Sequence, residues 1–302
     1  MRKVLLITLL TVLSWIPTRL YSLDLKLTAG LGNLSFKHDR TSALSVVDGK
    51  FQPYYFPMAL AQLSGEFGSF SYNLGFERDP LLRNRLYANF RMDREYFFLE
   101  AGPVFGLFNS PKMFVNPGAS LGMGLAIPGI IFIQASGSST LGILMETTGN
   151  NFQRTGDLGA GFWVPHVICS FNLSYQNFAL REKANLLIED ELIRYYFRSN
   201  VYTKNIPYTI SLDIGYQSLR RSYTSQTVSG GTDIIKTTDK DEFKSIFMDI
   251  EGTYTLNPDI KLLLGAEIPI YSWGVRPLKD PSKSTFFFKV WTGVIWTLPA
   301  RN

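Results

Sequence analysis

The chain has 302 residues, of which 14% are aromatic and only 18% charged, with 25 glycines. That balance excludes a disordered polymer and departs from an average cytosolic enzyme. The net charge of +5 falls to about +2 once Arg2, Lys3 and Arg19 of the first segment are set aside, too little for a phosphate-binding surface, so no nucleic-acid partner is expected.

The chain opens MRKVLLITLLTVLSWIPTRLYS: a basic start, an apolar run from Val4 to Ile16, then Pro17 and a small residue, Ser22. The run is shorter than the ~20 apolar residues of a spanning helix, and the layout predicts a secretory signal peptide over 1–22, cut near Ser22, with 23–302 exported. An uncleaved N-terminal anchor is the alternative. Cys169 is the only cysteine, so neither lipid attachment at the cut nor an internal disulfide is expected.

From Leu23 onward, apolar residues recur at every second position. Leu23, Leu25, Leu27, Ala29 and Leu31 alternate with Asp24, Lys26, Thr28, Gly30 and Gly32. Phe70, Tyr72, Leu74 and Phe76 alternate with Ser71, Asn73, Gly75 and Glu77, and Leu86, Ala88 and Phe90 with Arg85, Tyr87, Asn89 and Arg91. The apolar stretch Leu121–Gly137 could be read as a helical span, but Pro128-Gly129 at its centre predicts a hairpin. Val167 to Tyr175, Tyr208 to Gln217, Ile246 to Tyr254 and Ile260 to Ile270 repeat the rhythm. A period of two is the signature of strands.

Short turns are expected at 65–69, 92–95, 128–129, 164–165, 205–206 and 257–258. Between them fall the other connections, at 37–53, 79–84, 109–114, 139–153, 181–191, 221–242 and 274–284. Short turns on one side and longer loops on the other predict an all-β fold: a single transmembrane, antiparallel, up-and-down β-barrel of about fourteen strands, with twelve to sixteen admitted. The apolar face is expected to meet lipid and the face of Gly, Ser, Thr, Asn and charges to line a wet lumen. Tyr208, Tyr216, Tyr254, Tyr271, Trp273 and Trp296 lie near strand ends, as aromatic girdles require.

Catalytic signals are sparse. His38 and His166 have no partner at metal-ligand or triad spacing, and both read as solvated loop residues. No enzyme activity, metal or cofactor is expected. The chemistry lies on the polar face, whose lumen-lining candidates are Arg85, Arg91, Glu100, Arg194, Arg198, Asp213, Asp249, Glu251, Lys261, Glu267 and Lys289. Such charges pair across strands and stiffen the wall, or stand at a constriction and select ions. Counting outward from a turn at Asn205-Ile206 puts Arg198 opposite Asp213. The same count from Asn257-Pro258 puts Asp249 near Glu267 or Gly265, gathering Asp249, Glu251 and Glu267 on one wall with Lys261 and Lys289 close by. That wall is expected to bind or filter cationic or polar solutes.

With its signal segment, alternating strands and phrases such as FFLEAGPVFG at 97–106, the chain resembles the bacterial outer-membrane β-barrels, in the style of the integral barrel proteins of spirochaetes and other double-membraned bacteria. The resemblance covers nearly the whole chain and is architectural, with no motif that names a subfamily. It implies residence in the outer membrane, contact with its lipid, insertion by the barrel-assembly machinery, and a porin-like pore, water-filled or loop-gated, for small polar solutes or ions. Two alternatives stand beside it: a fatty-acid-type transporter of hydrophobic ligands, and a closed barrel displaying loops for adhesion. Strand character beginning at Leu23 leaves no room for the N-terminal plug of the fatty-acid family. The ending Pro299, Ala300, Arg301, Asn302 departs from the aromatic terminal residue usual in outer-membrane barrels.

Overall fold

The computed structural model describes residues 22–33, 45–47, 50–52, 55–109, 113–140, 151–183, 186–202, 206–229, 233–273 and 287–299. Residues 1–21 of the expected signal peptide, His38, the turn residue Asn205, the connection 274–284 and most of the connections 37–53 and 139–153 lie outside them, whereas Ser22 opens the first strand. In chain order the strands are β1 (Ser22–Gly32), β2 (Ser45–Val47), β3 (Lys50–Gln52), β4 (Phe56–Phe67), β5 (Phe70–Asp79), β6 (Arg83–Asp93), β7 (Phe97–Asn109) and β8 (Met113–Ile127). They continue with β9 (Ile131–Thr140), β10 (Phe152–Val164), β11 (Val167–Lys183), β12 (Leu186–Val201), β13 (Tyr208–Ser229), β14 (Asp233–Asn257), β15 (Ile260–Trp273) and β16 (Lys289–Pro299).

Fourteen of these strands, all except the small β2–β3 hairpin, close into one antiparallel barrel. The seam is β1 against β16, paired without interruption from Ser22↔Pro299 to Gly32↔Lys289. Closure matters because it leaves no strand edge with unpaired backbone groups to face lipid. Gly68-Ser69, Pro128–Ile130, Pro165-His166 and Pro258-Asp259 are tight connections at the end that also holds Ser22 and Pro299. Gly68 and Gly129 take left-handed backbone there, with φ of 62° and 76°, and so does His166 at 69°. The opposite end has both long and short connections: β5 to β6, β7 to β8 and β13 to β14 are joined by three residues each and β11 to β12 by two, so the expected longer loops at 79–84 and 109–114 are short as well.

Hydrogen bonds that skip strands identify the concave face, because only inside a barrel do side chains from non-neighbouring strands converge. Arg194 on β12 reaches Glu267 on β15, and Trp291 on β16 reaches Glu251 on β14. The register then fixes the rest: Arg198, Asp213, Asp249 and Glu267 are successive cross-strand partners on that face. The other face carries the exposed apolar side chains, including Leu121, Met123 and Leu125 of β8, Phe171 of β11, Ile210 and Ile214 of β13, and Leu262 and Leu264 of β15. On β13 this outer band runs from Tyr208 to Tyr216, roughly 20 Å along the barrel axis for strands rising ~3.3 Å per residue and tilted ~40°, close to the ~25 Å apolar band of an outer-membrane barrel. Tyr195, Tyr216, Tyr271 and Trp273 form a chain of ring contacts at its upper border, with centroids 5.6 to 6.4 Å apart.

Beyond that border the pattern inverts. The outer face now carries Glu189, Glu191, Ser218, Arg220, Glu242 and Lys244, tied together by contacts such as Arg220–Glu191 at 2.6 Å and Lys244–Glu242 at 2.9 Å. The inner face turns apolar: Phe178, Leu180, Ile188, Leu192, Leu219 and Phe243 are all buried. Here the barrel stands in water, so the oily side chains shelter inside, as in a soluble protein. This corrects two expectations. The connections foreseen at 181–191 and 221–242 are largely strand: β11 and β12 run to Lys183 and from Leu186, and β13 and β14 stay paired out to Ser229↔Asp233. The lumen is polar only along part of its length, and not throughout.

Candidate functional site

The connection between β5 and β6 folds inward. Asp79 accepts the backbone N–H groups of Leu81 and Leu82 at 2.7 and 2.8 Å, a local turn that side-chain oxygens of this length favour. The turn crosses the lumen to the opposite wall. Gln153 of β10 donates its amide to the carbonyls of Leu82 at 2.6 Å and Asn84 at 3.0 Å. Arg83, 5% exposed, lies 4.0 Å from Asp190 of β12, and its guanidinium sits 5.9 Å from the Phe178 ring and 5.0 Å from that of Phe56. Asp190 in turn accepts both Nε and Nη2 of Arg221, each partner 1% exposed. Phe108 stacks on Phe114 and Phe178 alongside, at 5.1 and 5.6 Å.

Together these groups narrow the interior. Among the described residues a cavity of about 20 Å³ lies at this level, bordered by Asp79, Leu81, Asp190, Arg194, Gln217 and Lys289. That is room for about one water molecule.

Next to the constriction lies the charged wall. Glu267, 3% exposed at its side chain, accepts Arg194 Nη2 on both oxygens at 2.9 Å and Lys289 Nζ at 3.0 Å. Gln217 bridges Ser245 at 3.0 Å and Glu267 at 3.4 Å. Arg198 holds Asp213 with two bonds of 2.7 and 2.6 Å, the partner that counting from the turn required. Asp249 stands in register between Asp213 and Glu267. Glu251 accepts the Trp291 indole N–H at 2.9 Å, so it is held by a neutral donor.

All eleven sequence-predicted lumen positions fall on the inner register face, in several groups. Arg194, Asp249, Glu267 and Lys289 form one cluster and Arg198–Asp213 adjoins it. Arg85 pairs with Glu77 at 2.5 Å. Arg91 turns to Asp93 on its own strand at 2.6 Å, and Glu100 accepts from Asn89 at 2.8 Å. Lys261 is half-buried and has no ion pair among the described residues. Sequence reasoning missed the constriction residues Arg83, Gln153, Asp190 and Arg221, the first three inside segments read as connections or loop ends and the last in the segment read as a loop. It also omitted Glu77, whose phase with Asn73 and Gly75 could have found it. On the short-turn side of the constriction the lumen stays open, in one chamber of about 380 Å³ and another of about 270 Å³.

A closed antiparallel barrel with an outward apolar band, an aromatic border and an ion-paired interior is a membrane-spanning barrel, the architecture of bacterial outer-membrane proteins. No protein-family model matches the chain, and no curated protein matches it. Among solved structures it is similar to a loop-deletion mutant of OmpT, an outer membrane protein of Vibrio cholerae, at 8% identity over 91% of this chain and 98% of that one, with a TM-score of 0.42. It is also similar to an outer membrane channel from Pseudomonas putida F1, at 7% identity over 94% and 97% of the two chains with a TM-score of 0.40, and to the CymD monoaromatic hydrocarbon channel, at 8% over 93% and 89% with a TM-score of 0.38. Scores this low carry no functional argument, so function is argued from this chain's own residues.

Proposed function

We propose that the protein is a loop-gated pore of a bacterial outer membrane, passing small polar solutes or ions, and closed in this structure by the inward turn Asp79–Arg83. The observation that carries this reading is the contrast along the lumen. Two open chambers lined by Asp24, Ser64, Arg91, Asn172 and similar groups lead up to a constriction, and part of that constriction is a short turn held by a few latching contacts. A barrel of fourteen strands is wider than the eight whose interior side chains just fill it, so a space for water remains when such a turn withdraws. Lipid contacts the outer band, and the barrel-assembly machinery inserts the chain although its last strand ends at Pro299.

Planar-bilayer recordings test the reading. The unaltered protein should show rare openings, and a variant with Pro80, Leu81 and Leu82 replaced by glycine should conduct steadily. A glycine variant that folds, as judged by heat-modifiable migration, yet never conducts would refute the pore. The buried rings Phe108 and Phe178, with Phe114 packed half-buried against them, keep one second reading in view, transport of a hydrophobic ligand; it predicts that a fluorescent fatty acid is displaced from the folded barrel by unlabelled acid and not by sugars.

A further inference from the structure

The larger chamber, on the short-turn side, has a wall of unusual composition. Gly124 of β8 and Gly161 of β10 both face the lumen, and each is covered by a ring from the neighbouring strand. A Cβ at Gly124 would come within 2.2 Å of Phe98 Cε1, and one at Gly161 within 2.5 Å of Phe132 Cζ. Only glycine lets these rings lie flat against the wall. Lying so, a ring can turn its second face to the chamber; at Phe98 that face is taken by Arg91, which leaves Phe132. Trp163 borders Phe132 with centroids 4.9 Å apart at 56°, making a continuous angled aromatic surface. Arg91 stacks its guanidinium 3.7 Å above the Phe98 ring.

Around these rings stand amides: Gln134, Asn172 and Asn200 all line the chamber. Asn172 spends its amide nitrogen on Ser170, at 2.8 Å from the hydroxyl, which leaves its carbonyl oxygen as an acceptor. Of the cations here, Arg91 is paired with Asp93 and Arg198 with Asp213, while Arg94 and Glu95 stand next to each other at the exposed rim with opposite charges. The chamber therefore offers flat apolar faces and neutral hydrogen-bonding groups, with little field to hold a net charge. Its volume of about 380 Å³ lies in the range of small-molecule sites, 300 to ~1,000 Å³.

We infer that this chamber binds a neutral saccharide of one or two rings, stacked on Phe132 and Trp163 and hydrogen-bonded through its hydroxyls to Gln134, Asn172 and Asn200. A pyranose has the matching chemistry: a face of C–H groups that packs on an aromatic ring and an edge of hydroxyls that both donate and accept. This names the solute class of the proposed pore and so rests on that reading, but the site itself is reached from the short-turn end while the turn Asp79–Arg83 is still in place.

The test is calorimetric titration of the full chain in an amine-oxide detergent, which carries no sugar headgroup, with glucose, maltose, sucrose and benzoate as probes. Maltose or sucrose should bind in the millimolar range or tighter. Phe132→Leu and Trp163→Leu, which keep apolar volume but remove the ring, should each weaken binding at least tenfold while leaving heat-modifiable migration unchanged. No heat with any sugar, or undiminished sugar binding in both leucine variants, overturns the inference. So does preferential binding of benzoate, which would make the chamber an aromatic-acid site. Conductance of the triple-glycine turn variant is read separately. Current without sugar binding sinks this inference and leaves the pore standing; sugar binding without current does the reverse.

Discussion

Gln153→Ala should unlatch the inward turn. In this structure the Gln153 amide donates to two carbonyls, those of Leu82 and Asn84, from a position 2% exposed. Of the two acceptors only Leu82 belongs to the turn, since Asn84 is already paired on β6. A protein hydrogen bond contributes a net ~0.5–1.5 kcal/mol, so losing the Leu82 bond is worth about 1 kcal/mol, or roughly a fivefold shift in the ratio of open to closed states. That shift falls on the closed state alone, because an open turn does not make this bond. Arg83 beside Asp190 remains as a second hold, so the variant should flicker open and not stay open. Single-channel recordings at fixed voltage measure this as opening frequency. The matched control is Ser138→Ala, which removes a lumenal bond to Thr155 on neighbouring strands and touches no part of the turn. If Gln153→Ala opens no more often than Ser138→Ala, the latch assignment is wrong.

Three further outcomes follow from the ion pairs and the close strand contacts. Arg198→Asp and Asp213→Arg should each lower the heat-modification midpoint slightly, by about 1 kcal/mol or less because the Arg198 side chain is 41% exposed, and the double swap should recover most of the loss. Asp190→Ala breaks a pair buried on both sides and should destabilise the barrel by about 3–5 kcal/mol, read as the urea midpoint in detergent; an effect as small as that of Arg198→Asp would contradict its burial. Asp249→Asn should lower cation preference in reversal-potential measurements on the glycine-turn variant, whereas Glu267→Gln should shift it further towards anions, since it releases Arg194 and Lys289 together.

The strand count, the closure and the facing of the charged residues were legible because each depends on a period of two inside the bilayer, where the outer face must be apolar. Tyr208 to Gln217 shows this in one strand. The latch was not legible. Asp190 and Arg221 sit where the alternation changes phase: Leu192 faces in and Ile193 faces out, adjacent apolar residues on one strand, and Leu219 faces opposite to Tyr216. Read locally, a phase change looks like the end of a strand. Gln153 and Arg83 were hidden for a different reason, since Gln153 reaches Leu82 from 71 positions away and Arg83 reaches Asp190 from further still. Nothing in local pattern encodes which turn folds inward.

The phase change is itself positional information about the membrane. On β11, β12, β13 and β14 the apolar set moves from the outer to the inner face at neighbouring heights, near Tyr175–Phe178, Leu192-Ile193, Tyr216–Leu219 and Phe243–Ile246. Lipid favours oily side chains outside and water favours them inside, so the crossing marks the upper boundary of the bilayer, and the Tyr195, Tyr216, Tyr271 and Trp273 rings lie at that boundary. The Arg221–Asp190 pair and the apolar residues Leu219 and Phe243 then lie above the membrane, while Arg198, Asp213 and Asp249 lie within its span. The constriction thus sits at the mouth of the barrel, where a turn of five residues can leave the lumen into water without any strand having to shift in the hydrocarbon.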